Sequence, residues 1–486
     1  MLDRLTLLVP LLPLVAALVI GSFSLSARPL GERATSRLAL GAALLSSLGA
    51  AALLGRALFD GAPKTVFVAP WIESGAYRAP LELLLDPLSA SLALLVAGFG
   101  ALVLRFSTNY MHREAGFGRF FLVMCFFLAA MLLLVLGGNL VMTFVGWEGA
   151  GLASYLLIGY HHERKAPARS ATYTFVTNRI GDAAFLGAIF VAWHELGTIT
   201  YTSLFQAAET ADRGALTTLG LCLLVAAAAK SAQLPFSPWI SRAMEGPTPS
   251  SALFYGAVMV TAGLFLVLRV GPVLDHAPDV LHVMAAMGAA TALYGGLVSL
   301  VQTDAKSGLI FSTVSQLGLM FLAVGLGARG IALFHLFTHA LLRGAQFLTA
   351  PSTLRLVPRD EPSRDMELVA GRLGRGLHAA ALARFWLEPL YEKCLVAPLL
   401  RLGRALDHVD TFDRGRGVPG RAVQYAASLA HLIETHLVRR AMGRGIPVTG
   451  DRLGRTLHHV EAVLERPVVV GALVLLSLFV VVRWAV

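Results

Sequence analysis

The chain has 486 residues, of which 56% are hydrophobic and only 14% carry a charge. Because soluble globular proteins carry about 25% charged residues, this composition excludes an ordinary soluble enzyme, a disordered chain and a secreted disulfide scaffold. The net charge of +10 does not indicate nucleic-acid binding, since basic cytoplasmic loops are typical of membrane proteins. The lipid bilayer is the predicted environment.

Apolar runs of about 20 residues recur along the chain, and each is long enough to cross a hydrocarbon core of about 30 Å. They predict an all-α integral membrane protein with about twelve transmembrane helices, and the first run is interpreted as a retained helix because no cleavage site of small residues follows it. The predicted spans in chain order are residues 5–25, 35–58, 83–104, 119–137, 139–160, 170–194, 214–236, 248–270, 278–302, 307–327, 329–351 and 467–485.

The loops between these spans differ in charge. The odd-numbered loops carry cations such as Arg105, Arg113 and Arg169, whereas the even-numbered loops hold acids such as Glu209 and Asp275. Cations concentrate on the cytoplasmic side of membrane proteins. The odd loops are therefore predicted to be cytoplasmic, and the N-terminus periplasmic.

Residues 353–466 depart from the pattern of spans. This segment has 18 Lys and Arg residues against 13 acids, and it lacks an apolar run long enough to cross a membrane. Stretches such as 385–402 and 423–438 alternate apolar and polar residues at helical spacing. The segment is predicted to form amphipathic helices on the cytoplasmic face, against the membrane surface or partner subunits.

Ionisable side chains inside predicted spans are functional candidates, because a charge at membrane depth costs at least a few kcal/mol. Glu148 lies in the middle of one span, and Asp182 follows Arg179 by three residues on the same face of the next. Lys230 precedes Pro235, which breaks the helix and leaves polar backbone at membrane depth. Glu148 and Lys230 can form either a structural ion pair or a pair that opens and closes to pass protons.

A second group of polar residues occupies the eleventh span and the loop before the tenth. His335 and His339 are four residues apart on one helical face, followed by Arg343. That histidine spacing can bind a metal, but without an evident third ligand we expect hydrogen-bonded links in a water-filled path. Asp304 and Lys306 flank a loop. A helix cap at Asp304 and a structural anchor at Lys306 are sufficient to explain these two charges.

Redox and nucleotide motifs are missing from the sequence. It has no P-loop, no glycine-rich dinucleotide fingerprint and no CxxCH motif, and its three cysteines are far apart. We therefore expect no cofactor and no metal in this chain, and any electron transfer to occur on another chain.

The motifs around these residues resemble those of the antiporter-like L subunit of complex I, NADH–quinone oxidoreductase (the chain 5 family). The resemblance starts from Gly-Trp-Glu-Gly-Ala-Gly at 146–151, covers roughly residues 60–350 and resumes weakly at 386–393. The matching segments are 146–159, 178–182, 230–235, 246–253, 302–306, 312–318 and 334–340.

The resemblance implies a proton-translocating membrane module that has no redox centre and works with other membrane subunits in the bacterial inner membrane. In the family, the residues matching Glu148 and Lys230 form the switching pair, and the residue matching Asp182 supports it. His335 and His339 would continue the path. Mrp-type sodium/proton antiporters and the membrane partners of some inorganic-carbon uptake systems share this module. A transporter subunit is therefore the alternative, and a scaffold that has lost its proton path is a third possibility.

Three departures from the family pattern bear on this interpretation. Tyr255 replaces the usual histidine, and Arg343 replaces a lysine, although arginine releases its proton far less readily. The helices expected after residue 352, including one with a further lysine, are replaced by the basic segment, which implies a truncated second inverted repeat. The predicted organisation is N-terminal helices at 1–118, an antiporter-like core at 119–352, the basic segment at 353–466 and a last helix at 467–486.

Overall fold

The computed structural model describes residues 2–25, 29–350 and 372–409. The chain divides into two compact units, Met1–Gly21 with Leu30–Lys393, and Ser22–Pro29 with Cys394–Val486. The predicted span 467–485 and the predicted amphipathic stretch 423–438 lie outside the described residues.

Eleven helices in the described ranges are long and apolar enough to cross a membrane, and they coincide with the first eleven predicted spans. The all-α membrane architecture is thereby confirmed. Nine of these spans are single helices: α1 (Leu2–Leu25), α2 (Glu32–Asp60), α3 (Pro87–Tyr110), α4 (Phe117–Leu136), α5 (Leu140–Ile158), α6 (Lys165–Leu196), α13 (Pro278–Leu300), α14 (Ala305–Gly325) and α15 (Arg329–Thr349).

A two-stranded antiparallel hairpin, β1 (Lys64–Ser74) and β2 (Tyr77–Leu85), precedes the third span and was not predicted from the sequence. Gly75 makes the turn with a φ of 58°, a left-handed conformation that glycine adopts without steric cost. Because β2 continues to Leu85, the third span begins at Pro87 and not at residue 83. Asp86 caps it by accepting a hydrogen bond from the Ser89 amide at 2.8 Å.

The seventh span is broken after the lysine, as predicted. Helix α8 (Arg213–Lys230) ends at that residue, and a non-helical segment precedes the short α9 (Pro238–Arg242). Side chains satisfy the backbone groups that the break exposes: the Trp239 indole donates to the Ala229 carbonyl at 2.8 Å, and the Leu234 amide donates to Thr291 Oγ1 at 3.0 Å. The backbone is thus hydrogen-bonded at Ala229 and Leu234, whereas Pro235 is exposed and the buried side-chain oxygens of Gln233 and Ser237 have no hydrogen-bond partner.

The eighth span is also broken. It consists of α10 (Thr248–Ser251), a π-helical turn (Ala252–Ala257) and α11 (Ala262–Arg269), and all of its residues are buried. Ser231, at the first break, donates to the Val260 carbonyl in the second break at 2.6 Å. The two interruptions thus meet inside the helix bundle.

Gly263 permits this close approach. A Cβ atom on Gly263 would lie 2.3 Å from the Ala227 carbonyl oxygen and 2.4 Å from the Ser231 hydroxyl. Such distances exclude any side chain unless the backbone moves. Glycine at this position therefore sets the distance between α11 and the end of α8.

Short helices complete the described structure. Outside the bundle helices lie α7 (Tyr201–Ala208) and α12 (Gly271–Leu274). The described part of the basic segment is helical, as predicted for 385–402, and contains α16 (Arg372–Leu382), a 3₁₀ turn (Arg384–Trp386), α17 (Leu387–Tyr391), a π-helical turn (Glu392–Val396) and α18 (Ala397–Val409).

Candidate functional site

Glu148, Arg179 and Asp182 form one ionic cluster between α5 and α6. The Arg179 guanidinium lies 2.5 Å from Glu148 Oε2 and 3.3 Å from Asp182 Oδ2. The second Glu148 oxygen is buried and has no hydrogen-bond partner. One arginine therefore balances two carboxylates, and one carboxylate oxygen stays free to accept a proton.

Trp147 connects this cluster to Lys230. Its indole nitrogen donates to Asp182 Oδ1 at 2.8 Å, and its backbone carbonyl accepts a hydrogen bond from Lys230 Nζ at 3.2 Å. The ammonium also lies 4.9 Å from the centroid of the indole ring, within the range of a cation–π interaction. Trp147 is part of the motif at 146–151, but the sequence alone does not indicate this role.

The structure does not bring Glu148 and Lys230 into direct contact. Glu148 pairs with Arg179, and among the described residues no carboxylate lies within 4.0 Å of the Lys230 ammonium. Lys230 is the last residue of α8 and is only 1% exposed. The negative end of the helix dipole and the Trp147 carbonyl offset part of the cost of burying its charge.

A small polar cavity of about 10 Å³ adjoins the lysine, and its lining includes Ser154, Asn178, Arg179, Asp182 and Lys230. Such a volume is close to the minimum that holds one water molecule. Polar groups and space of this kind suit a proton-transfer step through an intervening water.

Tyr255 lies in the π-helical turn of the broken eighth span, and its side chain is fully buried. Its hydroxyl lies beside Ser154 but has no hydrogen bond of good geometry, and the Ser154 hydroxyl is also unpaired. Ser154, beside that hydroxyl, is the residue that lines the lysine cavity.

The histidines lie on α15 where it packs against α14. The His335 ring is hydrogen-bonded to Gln316 at 2.8 Å, and its centroid lies 6.3 Å from that of His339. Arg343 donates to the Ser312 hydroxyl at 2.8 Å. His335 and Arg343 thus have neutral partners on α14, whereas the buried Nε2 of His339 has no hydrogen-bond partner among the described residues.

Asp304 and Lys306 occupy the beginning of α14. Asp304 caps the helix by accepting from the Ser307 amide at 2.9 Å, as expected for an N-cap residue. Lys306 donates to the Thr248 hydroxyl at 2.7 Å, which also accepts from Tyr110 at 3.1 Å. The lysine therefore anchors the beginning of the broken eighth span.

A polar cluster at the other end of that span was not predicted from the sequence. Arg269, the last residue of α11, forms an ion pair and a hydrogen bond with Asp86, and a second hydrogen bond of 3.1 Å joins the same side chains. Burial raises the pKa of Asp86, but hydrogen bonding and the charge of Arg269 outweigh it and hold the pKa below its ordinary value. The Asp-Pro pair at residues 86–87 is a helix-start signal that could have indicated the cap.

Metal binding has no support in the described ranges, where no group of three or more His, Cys, Asp or Glu side chains is arranged to hold an ion.

Two family models match the chain. The model described as NADH:quinone oxidoreductase/Mrp antiporter, TM, matches residues 137–371. The model described as NADH-Ubiquinone oxidoreductase (complex I), chain 5 N-terminus, matches residues 71–121. The matched residues include the ionic cluster, both broken spans, and His335 and His339.

Curated relatives agree with these models. NADH-quinone oxidoreductase subunit L of Mycobacterium tuberculosis is 40% identical over 332 residues, which are 66% of this chain and 52% of the relative. The subunit L of Escherichia coli is 42% identical over 287 residues, 58% of this chain and 47% of the relative. The chain thus spans about half the length of the curated relatives it matches.

Solved structures give the same fold. The Mrp complex from a Dietzia species matches with a TM-score of 0.62 and 27% identity, over 79% of this chain and 41% of that chain. The archaeal membrane-bound sulfane sulfur reductase matches with a TM-score of 0.64 and 19% identity, over 71% of this chain and 70% of that chain, and so indicates the fold alone. The family models and the curated relatives agree. The chain belongs to the family of antiporter-like membrane subunits represented by subunit L and chain 5 of NADH–quinone oxidoreductase.

Proposed function

We propose that this chain is a proton-translocating membrane subunit of an NADH–quinone oxidoreductase-like assembly. Protons pass through Glu148, Asp182 and Lys230, and then along His335 and His339. The chain supplies no redox centre, so other subunits of the complex carry the electron transfer and drive the proton movement electrostatically. Tyr255 and Arg343 are further candidates, either as members of this path or as structural residues.

The buried lysine carries this proposal. Lys230 ends a broken helix, is almost completely buried and has a carbonyl and an aromatic ring as its nearest partners. The free energy of a charge that lies at membrane depth without a carboxylate partner depends strongly on nearby charges. Rearrangement of Arg179 between the two carboxylates changes the field at Lys230, and this change drives the uptake or release of its proton.

The proposed orientation places the N-terminus in the periplasm and residues 353–466 in the cytoplasm of a bacterial cell. The distribution of cations between the loops supports it. His162 and Glu209 are exposed in loops at opposite ends of the spans. In intact cells, a thiol reagent that cannot cross the inner membrane should label Glu209→Cys and spare His162→Cys. The reverse pattern would invert the topology.

The assembly itself is tested by purifying the native complex with a tag on this chain. Flavin and iron–sulfur subunits should co-purify, and vesicles containing the complex should move protons when NADH reduces quinone. A complex without redox subunits that moves protons only against a sodium gradient would contradict the proposal.

A second function, as a membrane subunit of a cation/proton antiporter or a proton-coupled inorganic-carbon transporter, has one specific support. The fold matches a subunit of the Dietzia Mrp complex over 79% of this chain. Proton flux that requires sodium or bicarbonate, and not NADH and quinone, would favour this function.

A further inference from the structure

One face of α6 connects the lysine cavity to a larger polar pocket at the beginning of this helix. The pocket has a volume of about 320 Å³, and its lining includes Ser170 of α6 together with Arg384 and Glu388 of the basic segment. Thr174 and Asn178 line the lysine cavity. Because these three α6 residues are spaced by four, they lie on one face of the helix. The pocket and the cavity are therefore two positions along the same polar face.

Tyr391, the last residue of α17, packs into the bundle beside this face. It is only 5% exposed. Its ring centroid lies 6.2 Å from that of Tyr173 on α6 and 6.3 Å from that of Phe236 in the first break. Its hydroxyl lies beside Thr177 of α6 but has no hydrogen bond of good geometry. A side chain of the basic segment thus lies between α6 and the broken seventh span.

The groups around this tyrosine are polar but unpaired. The hydroxyls of Tyr173 and Tyr391 and the Asn178 Oδ1 atom are buried and have no hydrogen-bond partner among the described residues. Buried polar groups are normally hydrogen-bonded, to protein or to water. These oxygens can bind water when the Tyr391 ring moves away, so its displacement would join the pocket to the lysine cavity.

Ion pairs hold the tyrosine in place. Arg242 of α9 pairs with Glu388, and its guanidinium lies 3.6 Å from Glu392. Arg384 pairs with Glu388 at 3.1 Å and donates to the Ser241 hydroxyl at 3.2 Å. The four charged side chains are between 21% and 53% exposed. Ion pairs that water can reach contribute little net stability, so these pairs can open.

The turn before α17 is strained. Arg384, Phe385 and Trp386 have φ angles of 50°, 52° and 52°, in the left-handed region that is unfavourable for residues other than glycine. Such a conformation persists only where surrounding contacts hold the chain. Opening of the ion pairs would therefore allow the turn to relax, and relaxation favours withdrawal of the tyrosine.

We propose that residues 384–392 form a latch that controls the access of water to Lys230. With the ion pairs closed, Tyr391 separates the polar pocket from the lysine cavity. When Arg242 and Glu388 part, the tyrosine withdraws and water reaches the lysine. This inference rests on the proposed function, because it gives the latch control of proton exchange at Lys230.

The test measures access to the lysine cavity and not proton flux. Thr174, which lines that cavity and is buried, is replaced by cysteine in the full chain after the three native cysteines are changed to alanine. The rate at which Thr174→Cys reacts with a small, water-soluble thiol reagent is measured in native membrane vesicles made permeable to the reagent. Tyr391→Ala should raise this rate about tenfold or more, because the free energy of local opening falls.

Conservative and neighbouring variants separate a latch from general loosening. Tyr391→Phe keeps the ring and should keep the slow rate, whereas Glu388→Gln should raise it. Leu390→Ala is the matched control, because Leu390 is the preceding residue but is 59% exposed. A second reporter, Thr143→Cys, is buried at the beginning of α5, which is the opposite end of the bundle from the beginning of α6. It should react slowly in every variant.

Several results would overturn the inference. These are an unchanged Thr174→Cys rate in Tyr391→Ala, an equal rise in Tyr391→Phe, and a rise at both reporters. If Tyr391→Ala does not accumulate in the membrane, the comparison of Glu388→Gln with Leu390→Ala decides. Failure of the proton-path proposal would appear in the flux of a Lys230 variant and would leave these labelling rates unchanged, so the two failures are distinguishable.

Discussion

The ammonium of Lys230 is bound to Trp147 twice, by a 3.2 Å hydrogen bond to its backbone carbonyl and by its position 4.9 Å from the centre of its indole ring. The same indole donates to Asp182 at 2.8 Å. One side chain and its peptide group thus connect the lysine to the acidic cluster. We propose that movement of Asp182 on proton exchange is transmitted to Lys230 through this aromatic ring.

This connection can be tested by Trp147→Phe, which keeps an aromatic ring but removes the indole donor. Asp182 then loses a buried hydrogen bond, which costs about 1–3 kcal/mol. We expect a lower melting temperature in detergent and slower proton flux. Trp193→Phe is the control, because Trp193 makes an edge contact with Tyr77. Equal effects of the two substitutions would show that the indole donor has no special role.

The shared arginine gives a second prediction. In Arg179→Gln, the carboxylates of Glu148 and Asp182 lose their common cation, so stability and proton flux should both fall. Adding Glu148→Gln should recover part of the stability, with a coupling energy of about 1–3 kcal/mol in a double-mutant cycle.

The exposed pair of Arg213 and Asp279, whose atoms lie 2.9 Å apart, is the matched control. A cycle of Arg213→Gln and Asp279→Asn should give a coupling of less than about 1 kcal/mol, because solvent screens exposed pairs. Similar values in the two cycles would reject a special coupling in the cluster of Glu148, Arg179 and Asp182.

The close approach of the two broken helices gives a third prediction. Gly263→Ala inserts a methyl group 2.3 Å from the Ala227 carbonyl oxygen. Overpacking of this kind costs about 1–3 kcal/mol. It should also separate Ser231 from Val260 and slow proton flux. Gly187→Ala should be tolerated, because its Cβ would lie 3.7 Å from the Cys222 sulfur; a chain equally stable with both changes would contradict the packing argument.

The ion pair of Asp86 and Arg269 predicts a dependence of stability on pH. The pKa of Asp86 lies below its ordinary value of 3.8. The pair therefore contributes stability above that value and loses it as the pH falls through the lowered pKa. Asp86→Asn, which keeps a helix-capping side chain, should lower the melting temperature near pH 7 and have a smaller effect in acid.

Asp304→Asn is its control, because Asp304 also caps a helix but forms no ion pair in the described part of the chain. It should change the melting temperature little at either pH. A difference between Asp86→Asn and the unchanged chain that grows in acid would contradict the assigned role of Arg269.

Much of the fold follows from the apolar runs, because each membrane span needs about 20 apolar residues whatever its partners. The break after Lys230 was predictable because Pro235 cannot continue the helix. The hairpin at 64–85 was not, because its strands carry only a short alternating pattern between two long apolar runs. The second break, at 258–261, contains no proline, and its contact with Ser231 through the Val260 carbonyl is visible only in the structure.

The candidate site was predictable as a set of residues but not as a set of contacts. Charged residues are rare in membrane spans, so each one can be recognised in the sequence by itself. Glu148, Asp182 and Lys230 could therefore be selected from the sequence. Their pairing depends on helix rotation and depth, which the sequence pattern does not determine. For that reason the assignment of Arg179 to Glu148, and of the Trp147 carbonyl to Lys230, needed the structure.

Proton flux through the complex with Lys230→Ala, reconstituted in vesicles and compared with the unchanged complex, tests the proton-path proposal most directly. Since transfer through a positioned group contributes about 100-fold or more to such a step, flux should fall by about that factor. The variant should still assemble, as measured by co-purification of its partner chains. Unchanged flux in the fully assembled Lys230→Ala complex would contradict the proposed path.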